Sequence, residues 1–330
     1  MRRAWFVHWS DAAAWSRRGA QRWLKPSAVR WMQNHPDVSA TGRRAGTHCA
    51  KPFLKWLGGK SRVLNQIICH MPSGNRLIEP FVGSGAVFLG APWFNELILG
   101  DSNMHLIELY DAVVNRLDEL VAMTGPMFSE RYRSKEAYLE VRSQFNDEHD
   151  PLRRAAAFLY LNRFGFNGLC RYNKSRRFNV PYGHLLTPAR LPVERMAAFS
   201  ERARHAKLVC ADFADVMQMA RPGDVVYCDP PYLDASGGKK TFVGYGAGGF
   251  TVERQRDLAA LARTLAERGV SVVVSNHDTE FARKLYAGAE IYAFDVRRSV
   301  SASAGSRGLV RELLAVFSGT RPSPGGSHRP

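Results

Sequence analysis

The sequence predicts an open α/β sheet with a smaller, mainly helical unit inserted into it. Three observations lead there. Val225-Val226-Tyr227-Cys228 is a buried apolar strand that stops at two prolines, neither able to donate to a sheet ladder. Residues 76–88 read as a second strand, a tight loop with Gly83 and Gly85, and a helix, the strand–loop–helix step of such sheets. Between them, an alanine-rich helix opened by Pro151 leads into a basic, aromatic stretch with no acid before Glu194. At 330 residues the chain is long enough for one large domain and a smaller addition.

Residues 1–50 differ in composition from the rest of the chain. They hold five of the seven tryptophans, nine Arg or Lys and two acids, which is +7 of the formal +16. They lack the apolar core of a signal peptide. The segment reads as a poorly ordered extension or as sequence upstream of a true start at Met32; a transit peptide and an accessory DNA arm are the other readings its composition allows. Pro52 and Gly58-Gly59 then mark turns, the second opening a helical pattern to about Cys69 with Lys60 at its start. Gly83 and Gly85 permit backbone conformations and a close ligand approach that a Cβ would block. The strand at 96–100 ends in Asp101, about twenty residues after Phe81, the spacing at which an acid meets ribose hydroxyls. The loop lacks the Gly-Lys-Ser/Thr of a phosphate cradle, so an adenosine-bearing cofactor without a pyrophosphate fits it better.

Helical periodicity covers 107–121, 135–145 and 151–161. In residues 163–182, Phe164, Phe166, Tyr172, Phe178 and Tyr182 interleave with Arg163, Arg171, Lys174, Arg176 and Arg177. The two arms around Asn173-Lys174-Ser175 predict a β-hairpin with a basic tip. Positive charge suits phosphates, and aromatic wedges can enter a base stack. A solvated basic loop is the plainer alternative. Strands at 207–210, 225–228, 270–274, 291–296 and 313–317 and a helix from Thr251 to Gly269 complete the sheet and its cover. The glycine-rich loop 236–250 is either a lid or a surface loop. His277, in Ser275-Asn276-His277-Asp278, is a general base or, more simply, a strand-end cap. Residues 299–308 are small, polar and basic, and the tail 319–330 reads as disordered.

A charge of +16 points to a polyanion, either nucleic acid or a membrane surface. No run reaches the length of a membrane span. Five scattered cysteines without a Cys-x-x-Cys pair predict neither disulfides nor a zinc site and fit a reducing cytosol. No metal is expected. Asp229 offers a carboxylate at a strand tip, Pro230 a carbonyl fixed by the Pro231 ring, and Tyr232 a flat face. Two acceptors side by side suit a planar amino group with two N–H bonds, such as the exocyclic amine of a nucleobase. A Pro-Pro turn with Asp229 as a helix cap is the alternative.

Phe53-Leu54-Lys55-Trp56 with Gly58-Gly59-Lys60, Glu79-Pro80-Phe81-Val82-Gly83, Asn167-Gly168-Leu169-Cys170-Arg171-Tyr172-Asn173, Phe178-Asn179-Val180-Pro181, Asp229-Pro230-Pro231-Tyr232, Ser275-Asn276-His277-Asp278 and Val296-Arg297-Arg298-Ser299 occur in this order. Over residues 51–317 the chain resembles the Dam family of adenine-N6 DNA methyltransferases, of the α-group and D12 class. The resemblance implies a Rossmann-like, S-adenosylmethionine-dependent catalytic domain over 51–111 and 193–318, with a target-recognition domain at 112–192. It implies cofactor contacts at Trp56, Lys60, Phe81, Gly83, Gly85, Asp101 and Asp229, and adenine held by Asp229, Pro230, Pro231 and Tyr232. DNA contacts fall on Lys55, Phe166, Asn167, Leu169, Arg171, Asn173 and Pro181. In GATC-reading relatives the matching Leu, Arg and Pro read the site; here they are Leu169, Arg171 and Pro181. Phe166 replaces a usual Tyr that fills the vacated base position, and His184 replaces a usual Arg that contacts a phosphate. The expected reaction is methyl transfer to N6 of a flipped adenine in double-stranded DNA, by a cytoplasmic, nucleoid-associated monomer encoded by a bacterium or a phage. A restriction endonuclease encoded elsewhere is a possible partner. A catalytically silent DNA-binding regulator, a cytosine-N4 enzyme and a protein-glutamine methyltransferase are the rivals; the last two usually begin the motif with Ser and Asn.

Overall fold

The structure is a computed structural model and describes residues 50–187, 189–232, 250–297 and 309–319. The extension before residue 50, the lid reading of 236–249, residues 299–308 and the tail beyond 319 lie outside the described residues. The chain divides into two compact units. One comprises Gly58–Ile107, Arg171–Arg176 and the described residues from His205 onward; the other comprises residues 50–57, Glu108–Cys170 and Arg177–Arg204.

The first unit is built on a seven-stranded sheet among the described residues. Its strands are β1 (Arg76–Glu79), β2 (Glu96–Asp101), β3 (Lys207–Cys210), β4 (Val225–Cys228), β5 (Ser271–His277), β6 (Glu290–Arg297) and β7 (Leu309–Phe317), in the order β3-β2-β1-β4-β5-β7-β6. The first five pair in parallel, whereas β7 runs antiparallel to both β5 and β6. Parallel strands covered on both faces become continuous apolar runs, and all four residues of β4 are buried. The chain steps outward from β1 to β2 and β3, then returns to lay β4 on the other side of β1. That reversal is the switch point at whose carboxyl end open α/β sheets bind ligands.

The helices in chain order are α1 (Leu64–Cys69), α2 (Ala86–Gly90), α3 (Met104–Asn115), α4 (Leu117–Thr124), α5 (Lys135–Asp147), α6 (Pro151–Phe164), α7 (Val193–Ala203), α8 (Phe213–Met217), α9 (Val252–Glu267) and α10 (Glu280–Leu285). The chemistry of their starts is local. Ser134, Asp150, Asp212, Thr251 and Thr279 each cap a helix by accepting from a backbone N–H two or three residues on. In the first unit Leu258, Ala259, Ala262 and Leu265 of α9 pack with Val272, Val274, Ile78 and Val226 in one core.

The second unit is mainly helical. Phe53 meets Tyr110 and Phe199 edge-on at 5.9 and 5.1 Å, and α6 is buried nearly all round, which is why it carries little amphipathic contrast. One expectation changes here. The helical pattern read over 107–121 is two helices, α3 and α4, because Arg116 leaves helical geometry (φ −140°, ψ 37°) while the apolar spacing continues past it. In the predicted hairpin, Tyr172 and Phe178 are single bridge residues on either side of the 173–175 turn. The arms close through an isolated antiparallel bridge between Gly165 and Tyr182. Phe178 N–H also donates to the Asn146 side chain at 2.7 Å, and its carbonyl accepts from it at 3.1 Å.

Candidate active site

β4 ends at Asp229, beside the carboxyl ends of β1 and β5. Cys228 is in register with Val274, so the next pair of positions faces Asp229 with Ser275. The Ser275 hydroxyl donates to Asp229 Oδ1 at 2.7 Å and lies 3.2 Å from the Tyr227 hydroxyl. Lys60 Nζ approaches the same Oδ1 to 2.9 Å, with the lysine 7% and the aspartate 21% exposed. The carboxylate is therefore neither lost in the core nor idle: a hydroxyl and an ammonium orient it. Lys60 also donates to the Gly58 carbonyl at 2.9 Å and sits 4.8 Å over the Tyr232 ring. His277 meets that ring edge-to-face at 4.6 Å. The Tyr232 hydroxyl is buried, and burial with Asp229 nearby holds the phenol well above its ordinary range.

The proline turn is locked from behind. Gln255, fully buried in α9, donates to the Pro231 carbonyl at 2.9 Å. Its own oxygen accepts from Asn276 and Tyr286 at 3.2 Å each, and Asn276 reaches the Tyr286 hydroxyl at 3.0 Å. A buried polar network with its members paired rigidifies what it holds. With φ fixed by both rings and one carbonyl tied down, Pro230 has little freedom left.

At the other side of β1, Gly83 and Gly85 adopt φ of +46° and +74°, where a side chain would be strained. Gly83 N–H donates to Asp101 Oδ2 at 3.2 Å and Asn103 N–H to Oδ1 at 2.9 Å. Burial raises the Asp101 carboxyl to about 6, against the pull of the N–H donors of Asn103, Gly83 and Ser102. Phe81 stacks on Phe213 at 5.3 Å and meets Phe250 at 5.6 Å. Asp101 is in register with Cys210, which brings the start of α8 beside it. β2 and β4 flank β1, so Asp101 and Asp229 are separated by two strand spacings, about 10 Å. A glycine loop, a carboxylate and an aromatic wall, with an ammonium two strands away, fit a nucleoside bearing a short charged tail.

The remaining candidates fall into both units. Arg171 and Asn173 belong to the first, on an exposed turn in which Arg176 N–H donates to the Asn173 carbonyl at 2.9 Å. Lys55, Trp56, Phe166, Asn167, Leu169 and Pro181 belong to the second. There the buried Asn162 clamps Lys55, accepting from its N–H at 3.0 Å and donating to its carbonyl at 2.7 Å, while Lys55 Nζ donates to the Arg163 carbonyl at 3.3 Å. Burial and the Arg163 charge lower the Lys55 pKa. Gly168, at φ +64°, lies so close that an added Cβ would come within 2.3 Å of Lys55 Cβ. Phe166 N–H donates to the Pro181 carbonyl at 2.9 Å, and Asn167 holds φ +52°, leaving Phe166 exposed beside it. His184 also lies at positive φ, +45°, with its ring 5.0 Å from that of Tyr182.

Sequence reasoning missed Ser275, Gln255 and Phe213. The parallel register of β4 and β5 would have found Ser275. Nothing local marks Gln255, a polar residue on the buried face of an otherwise amphipathic helix. Among the described residues no helix is long and apolar enough to cross a membrane, and no group of three or more His, Cys, Asp or Glu could hold a metal ion.

Residues 56–300 match the family model described as D12 class N6 adenine-specific DNA methyltransferase. The chain is 45% identical over 267 residues to a DNA adenine methylase of Escherichia coli (strain K12), covering 81% of this chain and 95% of that one. It is 43% identical to a DNA adenine methylase of Salmonella typhi, with the same coverage. It is 41% identical over 268 residues to one of Vibrio cholerae serotype O1, covering 81% and 96%.

Proposed function

The chain belongs to the D12 class of N6 adenine-specific DNA methyltransferases, and we propose that it methylates adenine at GATC in double-stranded DNA after taking the base out of the duplex. The observation that carries the reading is Asp229, oriented by Ser275 at a rigid proline turn two strands from Asp101. The GATC assignment rests on Leu169, Arg171 and Pro181, at the positions that read this site in Dam-like enzymes. On this reading residues 112–192 carry target recognition.

Adenine N6 is a weak nucleophile because its lone pair is delocalised into the ring. The Asp229 carboxylate and the Pro230 carbonyl accept its two N–H bonds and favour a tetrahedral nitrogen. The Tyr232 face stacks on the base, its hydroxyl buried away from the purine. Phe166, 46% exposed, is the side chain available to fill the gap in the duplex, offsetting an unstacking cost of about a few kcal/mol. S-adenosylmethionine, when bound, supplies the methyl group as an electrophile. Asp101 would hold its ribose hydroxyls, Phe81 and Phe213 its adenine, and Lys60 its carboxylate. Positioning and electrostatic preorganisation are then the protein's main contributions.

Methyl-labelled S-adenosylmethionine with GATC-containing and scrambled duplexes, followed by nucleoside analysis, tests the reading. N6-methyl-2′-deoxyadenosine from the GATC duplex alone is expected; N4-methyl-2′-deoxycytidine selects the cytosine enzyme, and binding without transfer the regulator. Asp229→Ala should abolish transfer, by about 10³-fold or more, while duplex affinity stays within a few-fold. Substantial residual transfer would remove Asp229 from the chemistry.

A further inference from the structure

Tyr172 stands between two DNA candidates, Arg171 and Asn173, in the short segment Arg171–Arg176 that belongs to the sheet-containing unit. Its half-buried hydroxyl lies 2.7 Å from His105 Nδ1 and 3.3 Å from Asn103 Oδ1, and the tyrosine and imidazole rings stack with centroids 5.4 Å apart. Asn103 is buried, and its N–H is the donor to Asp101 Oδ1. The same Asn103 oxygen also accepts from His105 N–H at 3.1 Å, joining the asparagine to the first turn of α3. One residue, Asn103, therefore separates the Asp101 carboxylate from the tyrosine between the two DNA candidates. With a proton on Nδ1, His105 donates to the phenol oxygen and the phenol donates to Asn103, so both bonds are made.

We propose that Tyr172 is a positioning residue that couples the cofactor acid to the DNA-reading turn, so that methyl donor and duplex bind cooperatively. The proposal rests on the assignment of Asp101 to the cofactor ribose and of Arg171 to DNA. A ligand on the Asp101 carboxylate fixes the loop that carries Asn103. Asn103 and His105 fix the phenol, and the phenol fixes the backbone from which Arg171 and Asn173 project. Coupling of this kind is reciprocal: each ligand tightens the other by the same factor. None of the three side chains needs to touch the reacting atoms.

The test measures affinity of the full chain for a fluorescent GATC duplex, with and without saturating S-adenosylhomocysteine. The unaltered protein should bind the duplex about fivefold or more tightly in its presence. In Tyr172→Phe, which keeps the stacked ring and loses only the hydroxyl, that factor should fall to about one. His105→Ala approaches the same bond from the other partner and should lower the factor too, guarding against a folding defect in the first variant. A merely structural tyrosine would weaken duplex binding equally with and without S-adenosylhomocysteine; an unchanged factor in Tyr172→Phe therefore overturns the proposal, as does a factor of one in the unaltered protein. If the unaltered protein binds neither ligand, the functional reading itself fails, and the coupling with it.

Discussion

Asp101 is the residue whose chemistry carries the clearest pH signature. Its carboxyl is raised to about 6, so it is neutral in the folded protein below that value and ionised above it. On the proposed assignment of Asp101 to the cofactor ribose, the hydroxyls need the ionised acceptor. Affinity for S-adenosylhomocysteine should therefore rise about tenfold between about pH 5 and pH 7, and Asp101→Asn should flatten the profile in a calorimetric titration. The sign for folding is opposite. A raised carboxyl favours the folded state fully below its ordinary value of 3.8, and that contribution is lost as pH rises through about 6. At Arg171 the expected change is in discrimination. Arg171→Ala should cost about 1–3 kcal/mol of preference at one base pair, read from competition between duplexes changed one position at a time. Equal weakening on every duplex would reduce Arg171 to a phosphate contact.

Elements are held in register by groups far apart in the chain. Arg76 opens β1 and Asp224 immediately precedes β4, the two strands at the switch point. Arg76 Nε lies 3.1 Å from both carboxylate oxygens and Nη2 2.5 Å from one, and Arg221 N–H donates to the same oxygen at 2.7 Å. Both side chains are close to 10% exposed, at 12% and 10%. Asp224→Ala leaves a largely buried guanidinium without its partner and should destabilise the protein by about 3–5 kcal/mol in urea unfolding. A loss below about 1 kcal/mol would place the pair with ordinary surface ion pairs. β4 and β5 were legible as apolar runs, since parallel strands bury both faces. The break at Arg116 was not, because one residue can leave helical geometry without disturbing the apolar period around it.

For the whole molecule, the formal charge of +16 sets how salt acts on DNA binding. A protein neutralising about six to ten phosphates loses about 10³–10⁵ in affinity between about 50 and 200 mM salt. Duplexes with and without GATC should weaken in parallel as salt rises, because phosphates are common to both while base contacts are not. A specific duplex whose affinity ignores salt would mean that this charge lies away from the DNA.

The chain alone determined the kind of chemistry. Asp229 beside two prolines and a tyrosine, a glycine loop about twenty residues before Asp101, and a basic aromatic insertion are local patterns, each set by backbone rules that act over a few residues. Tertiary structure decided which groups hold Asp229. Ser275 faces it only because β5 pairs with β4 in parallel, Lys60 reaches it from a distant turn, and Gln255 fixes Pro231 from a helix added later in the chain. Those partners follow from strand order and register, which depend on burial of the whole sheet and leave no mark in the spacing of neighbouring residues.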